Sequence, residues 1–596
     1  TTYCSTGNAH DQYYFRRSDR MVAGSVEPPR LDLANQDLVR SHVHAIWLAE
    51  TGVHLNSSMS DVLDVSEEDG SLPTLELRPS ITSRINDLEA RLRAAERARA
   101  VLSGLGLEEA PWWHPHWIED VVRNASANFD RACERWRRLY LSAVEEQRAQ
   151  NRVANDPGNS PQRRNEAKAR RRHAESRKEL LLNQDSNHPF SDFYTYRYFA
   201  SEGFLPGYSF PRLPLAAYIP ARREHGTYLQ RPRFIAVSEF GPGALIYHEG
   251  QRYQVTSVQV PTDGSGELST TEAHVCASCG YWHERRAGAD TCEECGQPLQ
   301  APMRDLMRLE TVFTVRRQRI SSDEEERRRA GFELRTTFRF SDHGERSGRV
   351  AATVRAKDGS PLAELVYGDA ATVRVVNVGR RYRRNRSEVG FWLDSVTGRW
   401  LSESQALESA TEEERLEPVG KAKKPTKVVP YVEDHKNILV LRWADSLKPE
   451  QAVTLRYALE RGIEAMFQLE DSELNSEDLP DPQQRGRMLF VESAEGGAGV
   501  LRQLLDDPDR LGKVAEKALE IIHVSPAGVD LGHAPGSSER CERGCYDCLL
   551  AYSNQRYHTA VDRLSAVEPL LALADSRVEA AGGGAQDRAE QRAGLD

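Results

Sequence analysis

The 596-residue chain has no run near the ~18 apolar residues of a transmembrane helix, so no membrane partner is expected. Its N-terminus, TTYCSTGNAHDQYYFRR, has neither a secretory apolar core nor an initiator Met, which predicts a soluble, cytoplasmic chain cut from something longer. Nine cysteines are too few for a disulfide scaffold of this length. GxxxxGK[ST] and DExH strand motifs are both missing, so the chain by itself is not expected to hydrolyse ATP. An excess of positive charge is missing too: 79 Lys and Arg stand against 90 Asp and Glu, a net −11, and any nucleic-acid contact must be local.

What is present suffices for several cores. The chain is 39% hydrophobic and 28% charged, and its length predicts about three to six domains. The predicted fold class is α+β multidomain: an N-terminal helical region, a β-rich middle with an inserted zinc ribbon, and a C-terminal α/β zinc-associated domain. Residues 1–80 carry a helix in DLANQDLVRSHVHAIWLAETG, with Leu38, His42, Ala45, Ile46 and Ala49 on one face behind the N-cap candidate Asn35. Residues 81–185 form a charged helical region, with helices at 82–105, 117–150 and 162–183. Short strand-like runs such as RFIAVSEF, ALIYHEG and RYQVTSVQV mark a β-rich domain over 186–410. The charged stretch 411–430 is a linker, 431–575 an α/β module, and the Ala/Gly-rich 576–596 a disordered tail.

The sharpest local signal is Cys276-Ala-Ser-Cys279 followed by Cys292-Glu-Glu-Cys295, each pair trailed by a glycine. Two CxxC knuckles place four thiolates around one Zn²⁺; with every position filled by protein, such a zinc is structural. A redox dithiol pair is the weaker alternative. A second cluster, Cys541, Cys545 and Cys548, supplies three thiolates and lacks a fourth ligand. His558 is the favoured candidate and His533 the runner-up; buried free thiols or a [4Fe–4S] cluster are lesser readings. Two zinc sites are therefore expected. The closed, cysteine-rich spacing argues against a metal-dependent nuclease. The Gly-rich turn Glu495–Gly499 sits between a strand and a helix, where a phosphate might be cradled, but tight strand-to-helix packing is the default for its spacing.

Positive charge is concentrated in two places. Residues 131–179 carry fourteen Lys and Arg against seven Asp and Glu. Arg380, Arg381, Arg383, Arg384 and Arg386 follow a strand and are candidate contacts to nucleic-acid phosphates. For the longer run a solvated helix face is an equal alternative. Trp112, Trp113, Tyr194, Tyr196, Tyr198 and Phe199 are candidate stacking platforms, although such residues are more often core.

Taken together, GGAGVLRQL and CERGCYDCLLAYSNQRYHTAVDR resemble the zinc-associated domain that ends MrfA-type superfamily two DNA helicases and occurs in the DISARM antiphage proteins DrmA and DrmB. TYCSTGNAHDQYYFRR, VAGSVEPPRLDLANQDLVRSHVHAIWLAE and FYTYRYFASEGFLPGYSFPR resemble segments that follow the second motor domain in such helicases. The resemblance implies that residues 1–80 are a post-motor extension and that the chain is the DNA-binding accessory half of an ATP-dependent helicase or translocase in repair or antiphage defence. Implied partners are single-stranded or forked DNA, the RecA-like motor domains of the same parent, and other subunits of a defence or repair complex. ATP and Mg²⁺ would act only through those motor domains. A zinc-stabilised scaffold that binds a partner protein is the competing expectation.

Overall fold

The computed structural model describes residue 15 and residues 36–580, apart from 68–70, 106, 108–111, 159, 184–192, 208–213, 221–226, 261–267, 285–289, 318–330, 344–345, 348, 384, 386–387, 396, 409–424, 470–472, 481–485, 494–498, 535–539 and 552–553. The N-terminal part is helical: α1 Gln36–Thr51, α2 Pro79–Ile85, α3 Leu88–Leu102, α4 Trp117–Ala132, α5 Glu134–Asn155, α6 Pro161–Leu181 and α7 Thr195–Ser201. The helix expected over 82–105 is broken at Asn86-Asp87, where the Asp87 carboxylate accepts from the Glu89 N–H at 3.0 Å and starts α3 afresh. In α1 the buried face is Val39, Val43, Trp47 and Leu48, one position along from the expected Leu38, Ala45 and Ile46; Ala49 is exposed. The reason is packing: Trp47 meets Phe129 and Phe204, and the larger rings set the rotation of the helix. The N-cap candidate Asn35 lies outside the described residues.

A five-stranded sheet follows, with β1 Leu215–Ile219, β2 Thr227–Arg231, β3 Leu245–His248, β4 Gln251–Val258 and β8 Val312–Arg317 in the order β2-β1-β8-β4-β3. Between β2 and β3, RFIAVSEF forms the helix α8 Arg233–Glu239 rather than the expected strand. Pro232 fixes its start, and Arg233, Ala236, Val237 and Phe240 are buried at helical spacing, so tertiary burial overrides a β-like composition.

A larger sheet contains β5 Thr271–Val275, β6 Trp282–Glu284, β7 Met303–Arg308, β9 Phe332–Arg339, β12 Arg349–Arg355, β13 Pro361–Arg380, β14 Phe391–Leu393, β15 Trp400–Leu401, β16 Thr426–Trp443, β17 Leu474–Asp478, β18 Arg487–Glu492 and β19 Arg577–Ala580. Asp342–His343 (β10) and Arg346–Ser347 (β11) form a separate short ribbon. Two features depart from the expected boundaries. Strand β16 starts at Thr426, inside the expected linker, and pairs antiparallel with β13 from Val376↔Tyr431 to Ala363↔Trp443. Likewise β19 pairs with β12 from Arg355↔Arg577 to Ala352↔Ala580, within the first residues of the expected tail. Backbone pairing between segments remote in sequence leaves little local signal, which is why composition placed those boundaries elsewhere.

On the far part of this sheet pack α9 Pro449–Phe467, α10 Val500–Asp506, α11 Arg510–Ile521 and α12 Val567–Ala574. Their apolar faces share one core with Leu365, Leu439, Leu441, Met488 and Phe490 of the sheet. The fold is thus α+β, helical at the N-terminal end and β-rich in the middle, with the second cysteine cluster in the C-terminal α/β part. Among the described residues no helix is long and apolar enough to cross a membrane.

Candidate metal centres and nucleic-acid interface

The first cysteine set sits at the end of β5. Cys276 to Gly280 and Cys292 to Gly296 each turn so that the glycine N–H donates to the first cysteine's carbonyl at 2.9 Å. Gly280 and Gly296 have φ of +74° and +70°, a left-handed backbone that an L side chain would strain. The turns bring Cys276 Sγ and Cys295 Sγ to 3.6 Å, and Cys279 Sγ and Cys292 Sγ to 3.6 Å. Tetrahedral Zn–S bonds of about 2.3 Å require sulfurs roughly 3.8 Å apart, so the donors fit one ion. His283, buried, holds Nε2 at 3.3 Å from Cys292 Sγ and completes the surroundings of that sulfur. The ribbon also braces its neighbours: Arg487 of β18 donates to the Ser278 carbonyl at 3.1 Å.

The second set is assembled from three stretches of chain. Cys545 Sγ and Cys548 Sγ are 3.6 Å apart, Cys541 Sγ and Cys548 Sγ 3.8 Å, and His523 Nε2 lies 3.2 Å from Cys545 Sγ. The four donors fall within 4.8 Å of one another. Such spacing suits a single tetrahedral ion; thiolates on separate irons of a cubane cluster would be held farther apart. The fourth member is His523, which corrects the expectation of His558. The His558 Nε2 is 3.0 Å from the Ala551 carbonyl and 2.9 Å from Asn554 Oδ1, a local arrangement away from the thiols, and His533 is exposed.

Helix α11 explains why His523 arrives there. The His523 N–H donates to Glu520 O at 3.1 Å and the Val524 N–H to Leu519 O at 2.9 Å, the two bonds of a Schellman ending. His523 occupies the left-handed position, with φ of +61°, where glycine is usual. A histidine in place of glycine just past a helix was the signal available in LGKVAEKALEIIH. Beneath the site, buried Arg563 pairs with both carboxylate oxygens of Asp530 at 2.6 and 3.0 Å. It also donates to the carbonyls of Cys541 at 2.9 Å and Ile522 at 3.2 Å, tying together the segments that carry two of the ligands. The residues present therefore fit two zinc ions, four thiolates at one site and three thiolates with an imidazole at the other.

Residues 455–549 match the model of the MrfA Zn-binding domain. The MrfA Zn-binding match thus runs from within α9 to the Cys541–Cys548 array and takes in all four donors of the second site. No curated protein matches the chain. A solved structure described as the crystal structure of DUF1998 helicase MrfA bound to DNA aligns with 61% of this chain and 33% of its own at 12% identity. Its TM-score is 0.28, a likeness on which nothing is built.

The Gly-rich turn does not present a free helix end. The buried Glu492 carboxylate, at the end of β18, accepts from the Gly499 N–H at 3.1 Å and the Leu501 N–H at 2.9 Å, occupying the start of α10 where a phosphate would sit. Gly496 and Gly497 lie outside the described residues.

Of the arginines after β13, Arg383 forms an ion pair with Glu333 at 2.8 Å, and Arg380 donates to the Pro242 carbonyl at 3.3 Å. Arg381 is exposed, beside the 70% exposed Tyr382, while Arg384 and Arg386 lie outside the described residues. Much of the long basic run is paired within the chain: Arg137 with Asp130, Arg148 and Lys178 with Glu67, and Arg138 with Glu310. Of the stacking candidates, Trp112, Tyr198 and Phe199 are core, Trp113 is half-buried, and Tyr194 and Tyr196 are exposed with ring centroids 5.9 Å apart.

Proposed function

We propose that the chain is the DNA-binding accessory half of an ATP-dependent DNA helicase or translocase of DNA repair or antiphage defence, whose motor domains lie outside it. The observation that carries this reading is the MrfA Zn-binding match over 455–549, together with a complete tetrad of donors at that match. The zinc sites hold geometry and leave no open coordination position for chemistry. DNA is held through backbone phosphates, an affinity that depends on salt. Within the arginine run the reading rests on Arg381, with Arg384 and Arg386, rather than on Arg380 and Arg383, which are engaged inside the fold. Fluorescence anisotropy of the purified chain with single-stranded, forked and duplex DNA at two salt concentrations tests it. Salt-sensitive binding to single-stranded or forked DNA is the expected result; no binding by zinc-loaded protein overturns it.

A partner-binding scaffold is the second reading, favoured by Leu88 and Leu92. They lie one turn apart on α3 and are 67% and 64% exposed.

A further inference from the structure

Three arginines from three helices meet in one pocket at the junction of the helical part and the five-stranded sheet. Arg135 comes from the first turn of α5, Arg177 from the last turns of α6 and Arg197 from α7; Tyr228 and Gln230 of β2 close the opposite wall, and Ser201 lies between. Among the described residues no carboxylate lines this pocket. Arg135 is paired behind it with Glu202, and Arg177 is buried with its guanidinium 4.8 Å from the Phe313 ring centroid. Ring and ion pair hold two guanidiniums in place, while the lining stays rich in donors and positive in sign. Tyr194 and Tyr196, the exposed pair, stand immediately before Arg197 in the chain.

We propose that this pocket seats one phosphate of a single nucleic-acid strand, with an adjacent base stacked on Tyr194 or Tyr196. The inference rests on the DNA-binding reading above and assigns it a site. Guanidinium forks match phosphate oxygens in a bidentate manner, and a partly enclosed seat strengthens such bonds over those at an open surface. The bases contribute stacking, which every base supplies, so the seat is indifferent to sequence.

The test uses the full zinc-loaded chain and a fluorescein-labelled oligothymidylate, titrated at several salt concentrations, for the unaltered protein, Arg197→Gln, Arg197→Lys and the double variant Tyr194→Ser with Tyr196→Ser. The expected result is about a tenfold loss of affinity for Arg197→Gln and a salt slope shallower by about 0.7, the value of one phosphate on a single strand. Arg197→Lys keeps the slope while losing the fork, and the tyrosine variant weakens binding with the slope unchanged. Because Arg197→Lys keeps the charge and the tyrosines are exposed, these variants keep the inference testable if Arg197→Gln folds poorly. Unaltered affinity and slope in all variants, with the parent protein still binding, overturn the pocket and leave the DNA reading standing. No binding by the parent overturns both. Thymidine monophosphate competing as well as the oligonucleotide makes the pocket a free-nucleotide site and overturns the strand assignment.

Discussion

Single residues set the properties of the cores more sharply than composition suggests. His44 is buried in the helical core, its Nδ1 donating to the Phe204 carbonyl at 3.1 Å and its ring stacked on Phe204 at 4.4 Å. Its Nε2 has no partner among the described residues, so a second proton would be desolvated without an acceptor, and burial pushes the pKa down from 6.5 to about 4. The folded state thus favours the neutral ring. Its stabilisation is fully present above about pH 6.5 and is lost as pH falls towards 4, amounting to about 3 kcal/mol. Urea unfolding between pH 4 and 7 should show this loss, and His44→Gln should flatten it; an unchanged slope would refute the assignment. Arg563 is the corresponding residue at the second metal site. Arg563→Ala leaves Asp530 and two carbonyls without their donor, and should cost about 3 kcal/mol and lower zinc affinity roughly 10- to 100-fold, read by chelator competition.

At the scale of elements, the ends of helices carry most of the consequences. The end of α11 delivers His523 to the thiols, and the beginning of α10 is held by Glu492. His523→Ala should lower bound zinc from about two to about one per chain, whereas His558→Ala should leave it unchanged, both read by metal analysis of dialysed protein. Glu492→Gln replaces a charged acceptor at a helix N-terminus with a neutral one. It should cost about 1–2 kcal/mol of unfolding free energy, and gain in stability with added phosphate would show that the α10 start is an anion site after all.

For the whole molecule, the long antiparallel pair β13 and β16 decides what folds together. The terminal core shares Ala363, Leu365 and Tyr367 of β13 with the helices that carry the second zinc site. A fragment of residues 431–580 therefore lacks the partner of its central strand and should neither unfold cooperatively nor retain zinc. A fragment of 332–580 restores β9, β12 and β13 and should recover both properties, as followed by circular dichroism and metal content.

The sequence by itself determined what depends on near neighbours. Two CxxC knuckles with trailing glycines, a Cx3Cx2C array, long amphipathic helices and alternating strands are all local patterns, and each appears in the structure where spacing put it. Tertiary structure decided what depends on residues far apart in the chain. It chose His523 over His558 because a left-handed helix ending aims one imidazole at the thiols, and a nearby asparagine and carbonyl engage the other. It divided the arginines after β13 between internal ion pairing and the surface, since Glu333 and Pro242 come from strands and turns that the run itself does not reveal. And it joined segments on either side of a charged, linker-like stretch into one sheet, because backbone hydrogen bonding between distant strands is written in no single stretch of side chains.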